Sequence, residues 1–150
     1  MPPRYKWQMR PLRPACCWVN GAPPDLEGLR GRPVLLVFWA ASKGVALRQL
    51  PRLERWVRQR GLPVKVMSVH TPQDVADMDP ARVMAAIRES DIHHPVALDG
   101  EDGALADAYD VRQLPAYFRF DAQLRLRNRR EGTKAVKAMD RLLSRASVHG

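Results

Sequence analysis

Pro33-Val34-Leu35-Leu36-Val37-Phe38-Trp39-Ala40-Ala41-Ser42-Lys43-Gly44-Val45-Ala46-Leu47-Arg48-Gln49-Leu50-Pro51-Arg52-Leu53-Glu54 is the stretch from which the fold of this 150-residue chain is read. Val34 to Trp39 is an unbroken apolar run rich in β-branched and aromatic residues, the pattern of a central strand covered on both faces. After a turn over Ala40 to Lys43, the apolar residues Leu47, Leu50, Leu53 and Val57 recur at spacings of three and four. That spacing places them on one stripe of a helix. Pro51 falls inside the helix, where a missing N–H and a ring clash lead us to expect a kink.

A buried strand, a short loop and a helix with an internal proline resemble the active-site unit of the thioredoxin superfamily. The likeness is to bacterial thiol-disulfide oxidoreductases of the TlpA/ResA type and their redoxin and AhpC/TSA-like relatives, whose pattern is roughly F-W-A-x-x-C-x-x-C-x-x-x-x-P. The spacing from Phe38 to Pro51 fits that pattern without a gap, and the two cysteine positions fall on Lys43 and Ala46. The catalytic dithiol is lost.

Thioredoxin chemistry is thiolate attack on a disulfide followed by resolution with a second thiol. Lysine and alanine do neither step, and a cation at a helix start is mildly opposed by the helix dipole. The buried acid that the resemblance places just before the F-W-A run is Val37 here. No catalytic residue is therefore assigned within the degenerate loop Ser42, Lys43, Gly44, Val45 and Ala46.

Outward from this unit, Asp25 to Gly31 resembles the short lead into the first core strand of TlpA-like proteins, and Asn20-Gly21 is a turn signal. Residues 1–14 hold four of the thirteen prolines and read as an extended arm with little structure of its own. On the other side, Pro63 to His70 is a second strand ended by Thr71-Pro72. Asp79-Pro80 supplies an N-cap and a first-turn proline for a helix with Val83, Met84 and Ile87 on its apolar stripe. Ile92 to Asp99 is a third strand and Gly103 to Tyr109 a short helix. The unit at about 71–110 resembles the strand-helix insertion of TlpA-like members.

Val111-Arg112-Gln113-Leu114-Pro115-Ala116-Tyr117-Phe118 resembles the run that carries the superfamily's cis-proline. The resemblance implies that Pro115 lies beside Lys43 and leaves backbone free to pair with an extended peptide as an added strand; maintenance of the fold is the alternative role. The remainder fits a hairpin, Ala116 to Asp121 and Gln123 to Arg129, then a helix capped by Thr133 and ending near Arg145. Arg125, Arg127 and Arg129 would share one face of an edge strand opposite Leu124 and Leu126, where charge blocks sheet-to-sheet association; an acidic partner site is the alternative.

Together these readings give an α/β domain with a thioredoxin-like fold: a mixed central sheet with helices on both faces. Residues 15–146 form the single domain, 1–14 the arm and 147–150 a tail. The net charge of +9 is uneven, with 12 basic and 3 acidic residues in 1–60, 3 and 10 in 61–110, and 10 and 3 in 111–150. Twenty of the 25 basic residues are arginine, and no nucleic-acid motif with interleaved aromatics occurs. Solvated charge is the simple reading, against a basic surface for anions or nucleic acid. No apolar run is long enough to span a bilayer and the N-terminus lacks a signal-type apolar core, so a cytoplasmic location is expected.

Cys16 and Cys17 are the only cysteines. Adjacent cysteines close only a strained ring, which makes them small apolar residues first and a redox pair second. His70, His93 and His94 lie near strand ends, but adjacent strand residues face opposite ways and His93 and His94 would not join one site. No metal and no cofactor are expected. Three functions remain open: a redox-inactive module that binds a protein or extended peptide around Trp39, Ser42, Lys43, Gly44, Leu114 and Pro115; an oxidoreductase using Cys16 or Cys17; and anion or nucleic-acid binding through the basic surfaces and the Lys43 helix start.

Overall fold

The computed structural model describes residues 7–12 and 17–149, with side chains to residue 144. In chain order the elements are β1 (Cys17–Val19), α1 (Leu26–Leu29), β2 (Val34–Trp39), α2 (Val45–Gln59), β3 (Lys65–His70), a 3-10 turn (Val75–Met78), α3 (Pro80–Glu89), β4 (Val96–Leu98), α4 (Ala104–Ala108), β5 (Ala116–Phe120), β6 (Leu126–Glu131) and α5 (Thr133–His149). Six strands form one sheet in the order β1-β4-β3-β2-β5-β6. β2 and β4 run parallel to β3, whereas β5, β6 and β1 are antiparallel to their neighbours, so the sheet is mixed.

The alternation of side chains along β2 sorts the two layers. Leu36 and Phe38 enter a cluster with Met67, Val69, Phe118 and Phe120, covered by Leu29 of α1 and by Leu105 and Tyr109 at α4. Val37 and Trp39 face the other way, onto Ala46 and Leu50 of α2 and Val83 and Ile87 of α3. Leu53 of α2 meets Met139 and Leu143 of α5 over Val66 on that same side. α2 continues through Pro51, and its buried residues are Ala46, Gln49, Leu50 and Leu53, with Leu47 and Val57 half-buried at the margins. Asp79 caps α3 by accepting from the Ala81 amide, with Pro80 in the first turn.

Four expectations are corrected. The arm is part of the core from residue 7: Met9 and Leu12 are buried, and the Tyr109 hydroxyl accepts from the Arg10 amide and donates to its carbonyl at 2.9 and 2.6 Å. The amide of Met9 donates to the Leu124 carbonyl and that of Leu126 to the Trp7 carbonyl, so this segment covers one end of β6. Apolar side chains spaced 7, 9, 12 were the available signal, obscured by prolines and arginines.

The third parallel strand is short, with His93 and His94 in the loop before β4. α5 runs to His149, past Arg145. Finally, a register shift opposite Arg119 and Phe120 leaves Arg127 without a partner residue on β5. That bulge inverts the alternation, and Arg129 lies over the Phe118 and Trp7 rings at 4.8 and 5.4 Å while Arg125 and Arg127 both reach Asp121. The hairpin turn is held by Asp121, whose side chain accepts from the Gln123 and Arg125 amides, with Leu124 at φ 63°. Among the described residues no helix is long and apolar enough to cross a membrane.

Candidate functional site

The loop leaves β2 at its carboxyl end and enters α2 through Gly44. The Lys43 amide closes its first turn on the Ala40 carbonyl at 3.0 Å. Its second anchor comes from the 3-10 turn: Asp77 accepts from the Ser42 amide at 2.9 Å and from the Ser42 hydroxyl at 2.6 Å, and also from the Gln73 amide. Burial raises the Asp77 pKa, but these hydrogen bonds and the nearby His70 outweigh it and hold the carboxyl below its ordinary value. Asp77 is thus an ionised clamp on a loop 35 residues away. The sequence carries no sign of it, because only folding brings an insertion residue to the strand end.

Lys43 and Ser42 are exposed, Gly44 and Val45 are half-buried, and Ala46 is buried against Trp39 and Leu50. Pairing of Phe38 with Ala116 carries Leu114 and Pro115 alongside Trp39 and Ala40, where the loop begins. The Leu114–Pro115 peptide bond is cis. Trp39 has no exposed surface, and the Leu114 and Pro115 side chains are buried. These three therefore shape the site from below, while Ser42 and Lys43 are the exposed residues of the loop.

Below Trp39 runs a polar chain. Its indole Nε1–H donates to Ser68 Oγ at 3.0 Å, Ser68 Oγ meets His94 Nε2 at 2.8 Å, and His94 Nδ1 meets Glu54 Oε1 at 2.6 Å. The same Glu54 oxygen accepts from the His93 and His94 amides at 2.7 and 2.6 Å. Burial raises the Glu54 pKa, and the hydrogen bonds from His94 and His93 more than reverse it. A hydroxyl, an imidazole and a carboxylate in this order are the parts of a serine nucleophile relay. Ser68 is 0% exposed, however, and no substrate reaches it. The chain is a brace between α2, β2, β3 and the loop before β4.

His70, at the end of β3, packs its ring against Trp39 with centroids 4.9 Å apart. Burial lowers its pKa to about 4, against the opposing pull of Asp77. Below pH 6.5 the unfolded chain takes up a proton that the native ring refuses until about pH 4, so stability falls with acidity across that window. Between pH 6.5 and 5, above the range in which Asp77 loses its own contribution, this should amount to about 2 kcal/mol. Urea midpoints across that range test it; a His70→Phe protein with the same slope as the parent would show that another group titrates.

Of the sequence-predicted redox pair, Cys16 lies outside the described residues. Cys17 is half-buried on the sheet-edge strand β1 and packs on the cluster of Trp39 and Leu98. The register places Cys17, Leu98, His70 and Trp39 in one row across four strands. Three strand spacings separate Cys17 from the start of the loop, on the order of 14 Å. Among the described residues no group of His, Cys, Asp and Glu side chains is arranged to hold a metal ion.

A model of the Redoxin family matches residues 14–143. The thiol-disulfide oxidoreductase YkuV of Bacillus subtilis is 28% identical over 128 residues, covering 85% of this chain and 86% of YkuV. Protein DipZ of Mycobacterium bovis is 32% identical over 109 residues, covering 70% of this chain and 16% of DipZ. A thioredoxin-like protein solved in solution in its oxidised form superposes with a TM-score of 0.75 at 28% identity, with 97% of each chain covered. A secreted Mycobacterium tuberculosis disulfide oxidoreductase superposes with a TM-score of 0.64 at 22% identity over 85% of this chain and 90% of its own, which shows the fold alone. With the family match spanning nearly the whole sheet and its helices, the chain belongs to the Redoxin family, in the TlpA/ResA-like part of the thioredoxin superfamily.

Proposed function

We propose that this redoxin is a redox-inactive member that binds an extended polypeptide or partner surface at the loop over Ser42, Lys43 and Gly44 and the neighbouring Leu114–Pro115 backbone. The observation that carries this reading is the loop's support. Lys43 and Ala46 stand where a dithiol would, yet Ser42 is held by a dedicated carboxylate and the loop has a packed base of Trp39, Ala46 and Leu50. Exposed Lys43 and Ser42 make the loop cationic and hydrogen-bonding, suited to backbone carbonyls of an added strand. Nucleic acid is not favoured, for want of an aromatic-interleaved basic surface.

The test is dithiothreitol-driven reduction of insulin. The native chain should be no faster than the reductant alone. Thiol-disulfide exchange through Cys16 or Cys17 is the second reading, favoured by the names of the relatives. Activity above the reductant that disappears in a Cys16→Ser/Cys17→Ser protein would establish it and remove the first.

A further inference from the structure

A cavity of about 370 Å³ opens between α5 and the outer half of the sheet. Its β2 residue is Leu35, on the order of 13 Å along the strand from Trp39, where the loop begins. Strand pairing puts Leu35, Arg119 and Asn128 in one row across β2, β5 and β6, with Tyr117 and Arg130 in the next row on the same face. α5 supplies the other wall through Ala138, Arg141 and Leu142, which helical spacing sets on one stripe. The floor is apolar. Leu35, Tyr117 and Leu142 pack on the cluster of Leu53 and Met139, and the Tyr117 hydroxyl donates to Met139 Sδ at 2.8 Å, so the phenol gives the cavity its ring.

Arg119, Arg130 and Arg141 stand around this floor, and no carboxylate is among the described lining residues. All three are exposed, so a ligand reaches them from solvent. Arg119 and Arg130 are diagonal neighbours on adjacent strands, roughly 7 to 8 Å apart, within reach of each other's charge. Other arginines nearby have acidic partners: Arg112 has Asp110, Arg125 and Arg127 share Asp121, and Arg129 has Glu131. Residues 111–150 hold three acids, and the third, Asp140, accepts from the Gln49 side-chain amide at 2.9 Å. The cavity's three cations are therefore left without a counterion among the described residues. Arg130 is also held in place: its Nη1 donates to Asn128 Oδ1 at 2.6 Å and to the Arg129 carbonyl at 2.9 Å. Its Nε and Nη2, with the Asn128 amide nitrogen, remain as donors.

We propose that this cavity binds a small organic anion, a phosphate monoester whose apolar body lies on Leu35, Tyr117 and Leu142 and whose phosphoryl group meets the three arginines. The volume falls in the range of small-molecule sites, and an apolar lining with a few placed polar groups is their usual make-up. A phosphoryl group brings roughly two negative charges and three acceptor oxygens, more than a carboxylate offers, and so answers three guanidiniums better. Guanidinium forks also match phosphate oxygens in pairs. This site is separate from the peptide-binding reading of the loop and does not depend on it.

The experiment is an amide-resonance titration of the full chain with phenyl phosphate, inorganic phosphate, phenol and a blocked tetraglutamate peptide, repeated on Arg119→Gln and Arg141→Gln proteins. Phenyl phosphate should bind at least about tenfold tighter than inorganic phosphate or phenol, with its largest shifts at Leu35, Tyr117, Arg130 and Leu142 and none at Lys43. Each glutamine substitution should weaken it about tenfold while the spectrum outside the cavity stays that of the parent. Equal binding of phenyl phosphate and inorganic phosphate, or shifts spread over the other arginines, would overturn the site and leave only solvated charge. Tighter binding of tetraglutamate than of phenyl phosphate would overturn the small anion as occupant in favour of an acidic polypeptide. No shift at the cavity with millimolar phenyl phosphate overturns the proposal outright.

Discussion

A Lys43→Cys/Ala46→Cys protein should close a reversible disulfide on oxidation and reduce insulin with dithiothreitol at least roughly tenfold faster than the reductant alone, where the parent shows no acceleration. The scaffold asks for this outcome. Position 43 is exposed one residue before the Gly44 cap, and position 46 is 2% exposed in the first turn of α2. A thiol at the first would meet solvent and substrate, and its thiolate would be favoured by the positive end of a fifteen-residue helix. A thiol at the second would replace a small buried side chain, the place for a resolving group. Val37 supplies no proton acceptor beneath the loop, so the engineered protein should stay slower than an ordinary thioredoxin. Mass spectrometry after mild oxidation, followed by the insulin assay, checks it. Two persistent thiols in an otherwise folded protein would mean that the loop does not have the dithiol geometry, and the placement of Lys43 and Ala46 would fall with it.

The second large effect is on stability. Glu54→Ala should cost about 3 kcal/mol, because it strips one acceptor from three donors, the His94 ring and the His93 and His94 amides, and leaves the Trp39–Ser68–His94 chain without its anion. For a chain of this size that is a fall in Tm of roughly 10 °C. Glu54→Gln keeps an acceptor oxygen and should lose about half as much. The sign with pH follows from the lowered Glu54 pKa: the contribution is present above the unfolded value of 4.5 and is lost as pH falls through the lower native value. Thermal melts at neutral pH decide it. A loss under about 1 kcal/mol for the alanine protein would show that desolvation of the buried chain offsets its hydrogen bonds.

The fold was legible because its signals are local and strong. The run Val34 to Trp39 admits no exposed face, Asp79-Pro80 starts a helix wherever it stands before an apolar stripe, and the spacing Phe38 to Pro51 ties strand to helix. The failures lie where a neighbour overrode the local pattern. Arg125, Arg127 and Arg129 read as one face until the bulge at Arg127 turned Arg129 onto Phe118. The arm 7–12 read as unstructured because its three apolar side chains gain stability only against Phe118, Tyr109 and the end of β6. Trp39, Leu114 and Pro115, expected among the residues around which a partner binds, are buried beneath the loop, because the pairing of β2 with β5 carries them into the packed layer.

The sequence by itself determined that this is a redoxin-type sheet with lysine and alanine in place of the dithiol, since residue identity and spacing along one strand-loop-helix unit carry that information. Only the tertiary structure decided what surrounds the altered loop. Asp77 reaches Ser42 across 35 residues, and Glu54 meets His94 across 40. His70 is packed on Trp39 with its Nε2 unpartnered among the described residues, because β3 and β2 end side by side beneath the insertion. Hydrogen bonds and charge act over a few ångströms in space, and such distances between residues far apart in the chain exist only once the sheet has brought its strands together.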